Sequence, residues 1–280
     1  MGEFPPEAAA ALKAAEALCG PLALEGISDR RGSAVWKARG PQGAVGIKLG
    51  TGEAAEVTAR EAAVLEQLPE YAVTAGRFDG GVWYVTPWLA GPSTWDVFRP
   101  VRKGAGGRGE ALAAAVGLCR AVADLHGAGW VHGDLQPQHG IHTEDGVRLL
   151  DFAWSRQVGS TPWRRFDGTM IHLTAPELAA RIIDGPQPVC TTQSADVHAL
   201  AGTLWTCVTG RWPLDYEAVG IGRGAPVEAM RAAIAERAVP MSTSTPWPAL
   251  QARLRQVLLA DSEDRPTAAE LTEFVETVDG

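Results

Sequence analysis

Val131-His132-Gly133-Asp134-Leu135-Gln136-Pro137-Gln138-His139, followed by Asp151-Phe152-Ala153, gathers carboxylate and imidazole groups within one short reach of chain. Between the two segments, Asp145-Gly146 signals a tight hairpin, because this dipeptide readily supplies the positive φ that a two-residue turn asks for. With those residues at the centre of the turn, Glu144 pairs with Val147 and Gly140 faces Asp151. His139 and Asp151 then lie side by side at the open end of the hairpin, with Asp134 just upstream. Two carboxylates and an imidazole brought together suit a metal ion or a proton transfer. Ordinary loop polarity is the other reading of the same residues.

Upstream, the chain reads as strands with one helix inserted. Ala34–Ala38 and Ala44–Leu49 flank the turn Arg39-Gly40-Pro41-Gln42-Gly43, and further strands fall near Thr74–Phe78 and Val82–Pro87. A helix is expected from Glu53 to Leu68, with an apolar stripe at Ala54, Val57, Val64, Leu65 and Leu68. Glu61 falls on that stripe, where an unpaired carboxylate is costly. It either pairs with Lys48, which sits between Ile47 and Leu49, or points to water from the stripe's edge. Met1–Leu18 is Ala-rich and carries Glu7, Lys13 and Glu16, which predicts an amphipathic helix rather than a secretion signal.

Downstream of Trp88-Leu89-Ala90-Gly91-Pro92 the periodicity becomes helical, near 111–126, 195–209, 226–237, 248–259 and 268–278, with a Gly-rich loop at Val101–Glu110. Asp196, opening an otherwise apolar helix, reads first as an N-terminal cap. The fold class expected is α+β, with a small β-rich lobe over residues 1–88 and a larger helical lobe over 89–280.

Composition narrows the function. In 280 residues, 33 acidic against 25 basic side chains leave a net charge of −8, which argues against a nucleic-acid binder. No window approaches the roughly 20 apolar residues of a membrane span. The four cysteines, Cys19, Cys119, Cys190 and Cys207, form no C-x-x-C pair and are expected as free thiols in a reducing cytoplasm.

In order along the chain, these segments resemble the eukaryotic-like protein kinases of bacteria. Val45-Gly46-Ile47-Lys48 is similar to V-A-I-K, and Arg60-Glu61 to the helix acid that pairs with its lysine. Residues 131–139 resemble H-R-D-L-x-x-x-N, and Asp151-Phe152-Ala153 resembles D-F-G. Ala175-Pro176-Glu177 matches A-P-E, while 195–201 and Asp264-Arg265-Pro266-Thr267 resemble the later S-D-V and D-R-P-T segments. The resemblance implies a two-lobed protein-kinase-like fold and transfer of a phosphoryl group from ATP to a hydroxyl, with Mg²⁺ or alternatively Mn²⁺. It implies that Lys48, set by Glu61, contacts phosphates, that Asp134 orients the acceptor hydroxyl, and that Asp151 and His139 bind the metal. Arg30, Gly32 and Ser33 would form the phosphate loop. Thr86, Trp88 and Leu89 would be the adenine hinge, and Glu177 with Arg265 a structural ion pair. Asp196 would brace the catalytic loop, with Gln136 and Thr169 near the acceptor.

Several residues depart from that family. Gly26–Val35 holds no G-x-G-x-x-G, His139 stands for Asn, Gln136 for Lys, Ala153 for Gly and Gly133 for Arg. The acceptor expected is a Ser or Thr of a peptide or protein. One specific form is lanthipeptide-type maturation with a lyase partner. An antibiotic-type small-molecule phosphotransferase and an inactive nucleotide-binding scaffold are the alternatives. Neither nucleic acid nor membrane is expected as a partner.

Overall fold

The computed structural model describes residues 3–163, 166, 168 and 170–279. The chain divides into two compact units, Met1–Leu89 with Asp151–Trp154, and Ala90–Leu150 with Ser155–Gly280. Their contents give the α+β class that the sequence predicts: an antiparallel sheet dominates the first and helices the second.

The first unit opens with helix α1 (Ala9–Cys19), followed by strands β1 (Ala23–Arg30), β2 (Ser33–Gly40) and β3 (Gly43–Thr51). Helix α2 (Glu53–Leu65), β4 (Thr74–Phe78) and β5 (Gly81–Pro87) complete it. The sheet order is β1-β2-β3-β5-β4, antiparallel throughout. Strand alternation divides its side chains between two faces. Trp36, Val45, Ile47, Leu49, Trp83 and Val85 share one face and bury against Ala8, Ala11, Ala15 and Cys19 of the N-terminal segment. The small side chains of Ala11 and Ala15 let α1 lie close to the sheet, and Phe4 packs edge-on against Trp36 with ring centroids 4.9 Å apart. The intervening positions, Lys48 and its cross-strand neighbour Tyr84, are left for the face that α2 covers.

Between β1 and β2 the ladder closes at Arg30 and Ser33. The turn is therefore Arg31-Gly32, at φ 51° and 79°, the double left-handed geometry of a hairpin turn. Thr51 at the end of β3 donates its N–H to Gly32 O at 2.8 Å, tying the tip to the sheet. β1 is an edge strand with nearly every residue exposed, so it shows no apolar alternation. α2 ends at Leu65 rather than Leu68, and Leu68 closes only a turn back onto Leu65.

The second unit carries one-turn helices α3 (Thr94–Val97) and α4 (Arg99–Arg102), then α5 (Arg108–Gly127) and the short strand β6 (Trp130–Val131). The hairpin β7 (Gly140–Thr143) and β8 (Gly146–Leu149) and the strand β9 (Arg156–Gln157) follow. Helices α6 (Pro176–Asp184), α7 (Gln193–Thr209), α8 (Val227–Ala235), α9 (Pro248–Leu259) and α10 (Ala268–Glu276) finish the chain. α7 is its central element, with Leu200, Leu204, Trp205 and Val208 all inaccessible. The Gly-rich loop is shorter than Val101–Glu110, because α4 runs to Arg102 and α5 begins at Arg108. Arg102 anchors α4 by lying 3.5 Å over the Trp95 ring and donating to Cys207 O at 2.9 Å.

The hairpin register differs from the one read in the sequence. Thr143 pairs with Gly146 and Gly140 with Leu149, so Glu144 and Asp145 are the turn residues. Neither enters the left-handed region, whereas Gly146 sits at φ 116°. The Asp-Gly signal is thus met by Gly just after the turn, where the positive φ falls, not by Gly inside it. Asp151 falls beyond the ladder rather than opposite Gly140. Among the described residues no helix is long and apolar enough to cross a membrane, and all four cysteines are free.

Candidate active site

In the first unit, Ile47 and Leu49 are committed to the α1 face, so Lys48 projects toward α2. Its Nζ lies 2.5 Å from Glu61 Oε2. The stripe-breaking carboxylate of α2 is therefore buried, at 2% exposure, and paired. Tyr84, opposite Lys48 in the β3–β5 ladder, is buried on the same face of the sheet. Burial alone would depress the Lys48 ammonium. Its interactions with Tyr84, Glu61 and Asp151 outweigh that and hold Lys48 above the usual lysine range. Asp151 belongs to this unit and adopts φ 64°, a conformation that Asp tolerates better than most side chains. Phe152 beside it is buried, edge-on to Tyr71 at 5.1 Å.

Arg30 and Ser33 close the β1–β2 turn, with Gly32 inside it and Arg30 exposed. Thr86, next to last in β5, lies opposite Gly46. Trp88 donates its N–H to Ala44 O at 3.0 Å and lies under the Lys37 ammonium, 4.3 Å from the ring centroid. Leu89 is the last residue before the chain enters the second unit.

In the second unit, residues 132–139 are held by Asp196. The helix cap itself is Thr192, whose side chain accepts from Ala195 N, because α7 starts earlier than the sequence suggests. Asp196 is thereby left inside the first turn, 2% exposed. Its carboxylate accepts from His132 N at 2.6 Å and Gly133 N at 2.9 Å, and His126 Nε2 lies at 3.1 Å. Gly133 sits at φ 80°, where a side chain would be strained, so the residue in place of the family's Arg also sets the loop's path.

His132, which the sequence reading passed over, is fully buried. Its Nδ1 accepts from Asp134 N at 3.2 Å, so Nε2 carries the proton it donates to Leu150 O at 3.1 Å. The Asp134 carboxylate receives Gln136 Nε2 at 2.7 Å. His139 Nδ1 donates to Asp134 O at 2.7 Å, which leaves Nε2 of the neutral ring as the lone-pair nitrogen. Leu150 N–H binds His139 O at 2.8 Å, and Asp151 is the next residue of the chain.

The remaining candidates separate. Arg265, wholly enclosed, meets Glu177 with two bonds of 2.5 and 2.7 Å and also donates to Ser194 O. The pairing overrides partial burial and holds the Glu177 carboxyl below the usual glutamate range. Thr169 lies outside the described residues. Phe166 is buried, while Trp163 and Met170 are partly exposed. Tyr84 was missed because an aromatic residue in a strand reads as generic packing; only the register against Lys48 reveals its neighbours.

No family model matches the chain. Over 104 residues it is 33% identical to the serine/threonine-protein kinase AfsK of Streptomyces griseus, covering 35% of this chain and 12% of that protein. Over 195 residues it is 29% identical to the serine/threonine-protein kinase PAK 4 of Mus musculus, covering 68% of this chain and 30% of that protein. The chain thus spans less than a third of the length of these relatives. The chain is thus similar to Ser/Thr protein kinases, at low identity and over part of its length.

Proposed function

We propose that this chain moves the γ-phosphoryl group of ATP onto a hydroxyl, most directly a Ser or Thr of a peptide or protein. The observation that carries this reading is the enclosed Lys48 ammonium, set at 2.5 Å from a buried Glu61. Burying such a pair is a poor route to stability, and perturbed, enclosed charges gather where ligands are handled. Lys48 would meet the phosphates, fixed in place by Glu61. Asp134, oriented by Gln136, would direct the acceptor hydroxyl for in-line attack and take its proton. Residues 132–134 would keep their path through Asp196. Asp151, through its carboxylate, and His139, through Nε2, would each serve as a ligand for Mg²⁺ or Mn²⁺, groups whose chemistry suits such an ion. The metal, when bound, neutralises phosphate charge. Arg30, Gly32 and Ser33 would edge the phosphates, and Thr86, Trp88 and Leu89 the base.

A peptide or protein acceptor is supported by the full span from Asp151 to Ala175-Pro176-Glu177 and by the Ser/Thr protein kinases to which the chain is similar. Maturation of a natural-product peptide with a partner lyase is a narrower form of the same reading. Four free thiols fit a cytoplasmic setting. Gly133 at φ 80° and Gln136 on the Asp134 carboxylate favour a second reading, a small-molecule acceptor. Mass spectrometry of peptides and small hydroxyl compounds incubated with enzyme, ATP and metal separates the two. ATP turnover by purified protein separates both from an inactive scaffold.

Two outcomes are expected at the metal ligands. Asp151→Ala should abolish the metal-dependent part of ATP affinity; equal calorimetric affinities for variant and wild type would remove Asp151 from the site. His139→Asn should lower the ratio of Mn²⁺- to Mg²⁺-supported activity, since imidazole suits Mn²⁺ better than Mg²⁺. An unchanged ratio means that His139 only shapes the loop.

A further inference from the structure

We infer that Tyr84 is a positioning residue: its hydroxyl fixes the Glu61 carboxylate, and through it the Lys48 ammonium, by fastening α2 to β5. The inference rests on the phosphotransfer reading only for its effect on nucleotide. The mechanical part stands on the first unit alone.

Tyr84 is directly opposite Lys48 in the β3–β5 ladder, and such cross-strand neighbours stand about 5 Å apart at Cβ. Trp83 and Val85 on either side belong to the α1 face, so Tyr84 is obliged to face α2. It is 7% exposed there, on the face that carries the Lys48–Glu61 pair, and Glu61 is among the groups that act on its hydroxyl. A tyrosine hydroxyl has one proton to donate, and an ionised carboxylate only accepts. With the hydroxyl donating to Glu61, the carboxylate has two donors from adjacent strands of one sheet: the Lys48 ammonium at 2.5 Å and the Tyr84 hydroxyl.

One donor alone holds a carboxylate at a point; two donors on a rigid sheet fix its orientation. The helix bearing Glu61 is then tied to both β3 and β5, and Lys48 is held where it can meet a ligand without waiting for one. Asp151 is the other charge acting on this group. A phenylalanine at position 84 would fill the same space and bind α2 by packing alone.

Tyr84→Phe isolates the hydroxyl, because the ring remains. The 280-residue chain is compared as wild type, Tyr84→Phe, Lys48→Met and the double variant. ATP with Mg²⁺ is the probe for affinity, KM and kcat, and amide hydrogen exchange is followed over residues 58–65 without nucleotide. Removing one charge-assisted bond should speed exchange and raise Kd and KM by about tenfold each. In the Lys48→Met background the same change should alter nucleotide affinity by less than about twofold. Exchange and affinity matching wild type would overturn the inference, as would an equal loss of affinity in both backgrounds. If no form binds nucleotide while exchange still rises in Tyr84→Phe, the phosphotransfer reading fails and the role of Tyr84 survives. Glu61→Gln weakens the acceptor instead of the donor and reports on the same bond by exchange if Tyr84→Phe does not fold.

Discussion

Asp134→Asn is expected to cut phosphoryl transfer by roughly 10²–10⁴-fold while leaving ATP affinity within about twofold of wild type. The expectation follows from how completely the backbone at this position is already engaged. Asp134 N is taken by His132 Nδ1 and its carbonyl by His139 Nδ1, so the loop's path does not depend on the carboxylate. One carboxylate oxygen receives Gln136 Nε2 at 2.7 Å, which aims the group without neutralising it. Asparagine keeps the volume but cannot accept a proton from a hydroxyl. Single-turnover measurement with saturating ATP is the check, since it separates transfer from binding and release. A rate within about threefold of wild type would show that the acid at 134 does not handle the acceptor.

Glu177→Gln should cost about 3 kcal/mol of stability, at the lower end for a broken buried pair, because Glu177 retains 21% side-chain exposure. The larger part of that cost is not the lost attraction but the stranded guanidinium: Arg265 is 0% exposed at its side chain. Bonds from Arg265 to Ser194 O and Ala260 O satisfy some of its donors without supplying negative charge. The pH dependence gives a second signature. Pairing lowers the folded-state value of Glu177, so the unfolded chain binds its proton first as pH falls. The stabilisation is complete above pH 4.5, the ordinary glutamate value, and is lost as pH falls through the folded value. Thermal or urea unfolding should therefore find the gap between wild type and Glu177→Gln narrowing below pH 4.5. A gap that is constant with pH would mean that packing, not charge, is what the substitution disturbs.

The features legible in the sequence are those carried by local pattern. Ile47 and Leu49 around Lys48 and the stripe around Glu61 predict the faces that the side chains occupy, because alternation and helical period are local properties. What escaped notice depends on register or on where an element begins. Asp145-Gly146 promised a turn centred on itself, yet a chain can also use the glycine just after the turn, and nothing local decides between them. Asp196 reads as a cap only for a helix starting at Ala195; with Thr192 as cap, its carboxylate is released inward to the amides of 132 and 133. β1 left no apolar signature because an edge strand with both faces open to water needs none.

The α1 helix also has a practical consequence for anyone building on this scaffold. Ala8, Ala11 and Ala15 are flush against the sheet, and Phe4 is seated on Trp36. Lys48 leaves the same sheet from its reverse side. A fluorescent reporter or affinity handle joined ahead of Phe4 would thus be carried on the side of the sheet opposite the ammonium. Its linker must begin before Phe4, so that the ring keeps its seat and the alanines keep their contact.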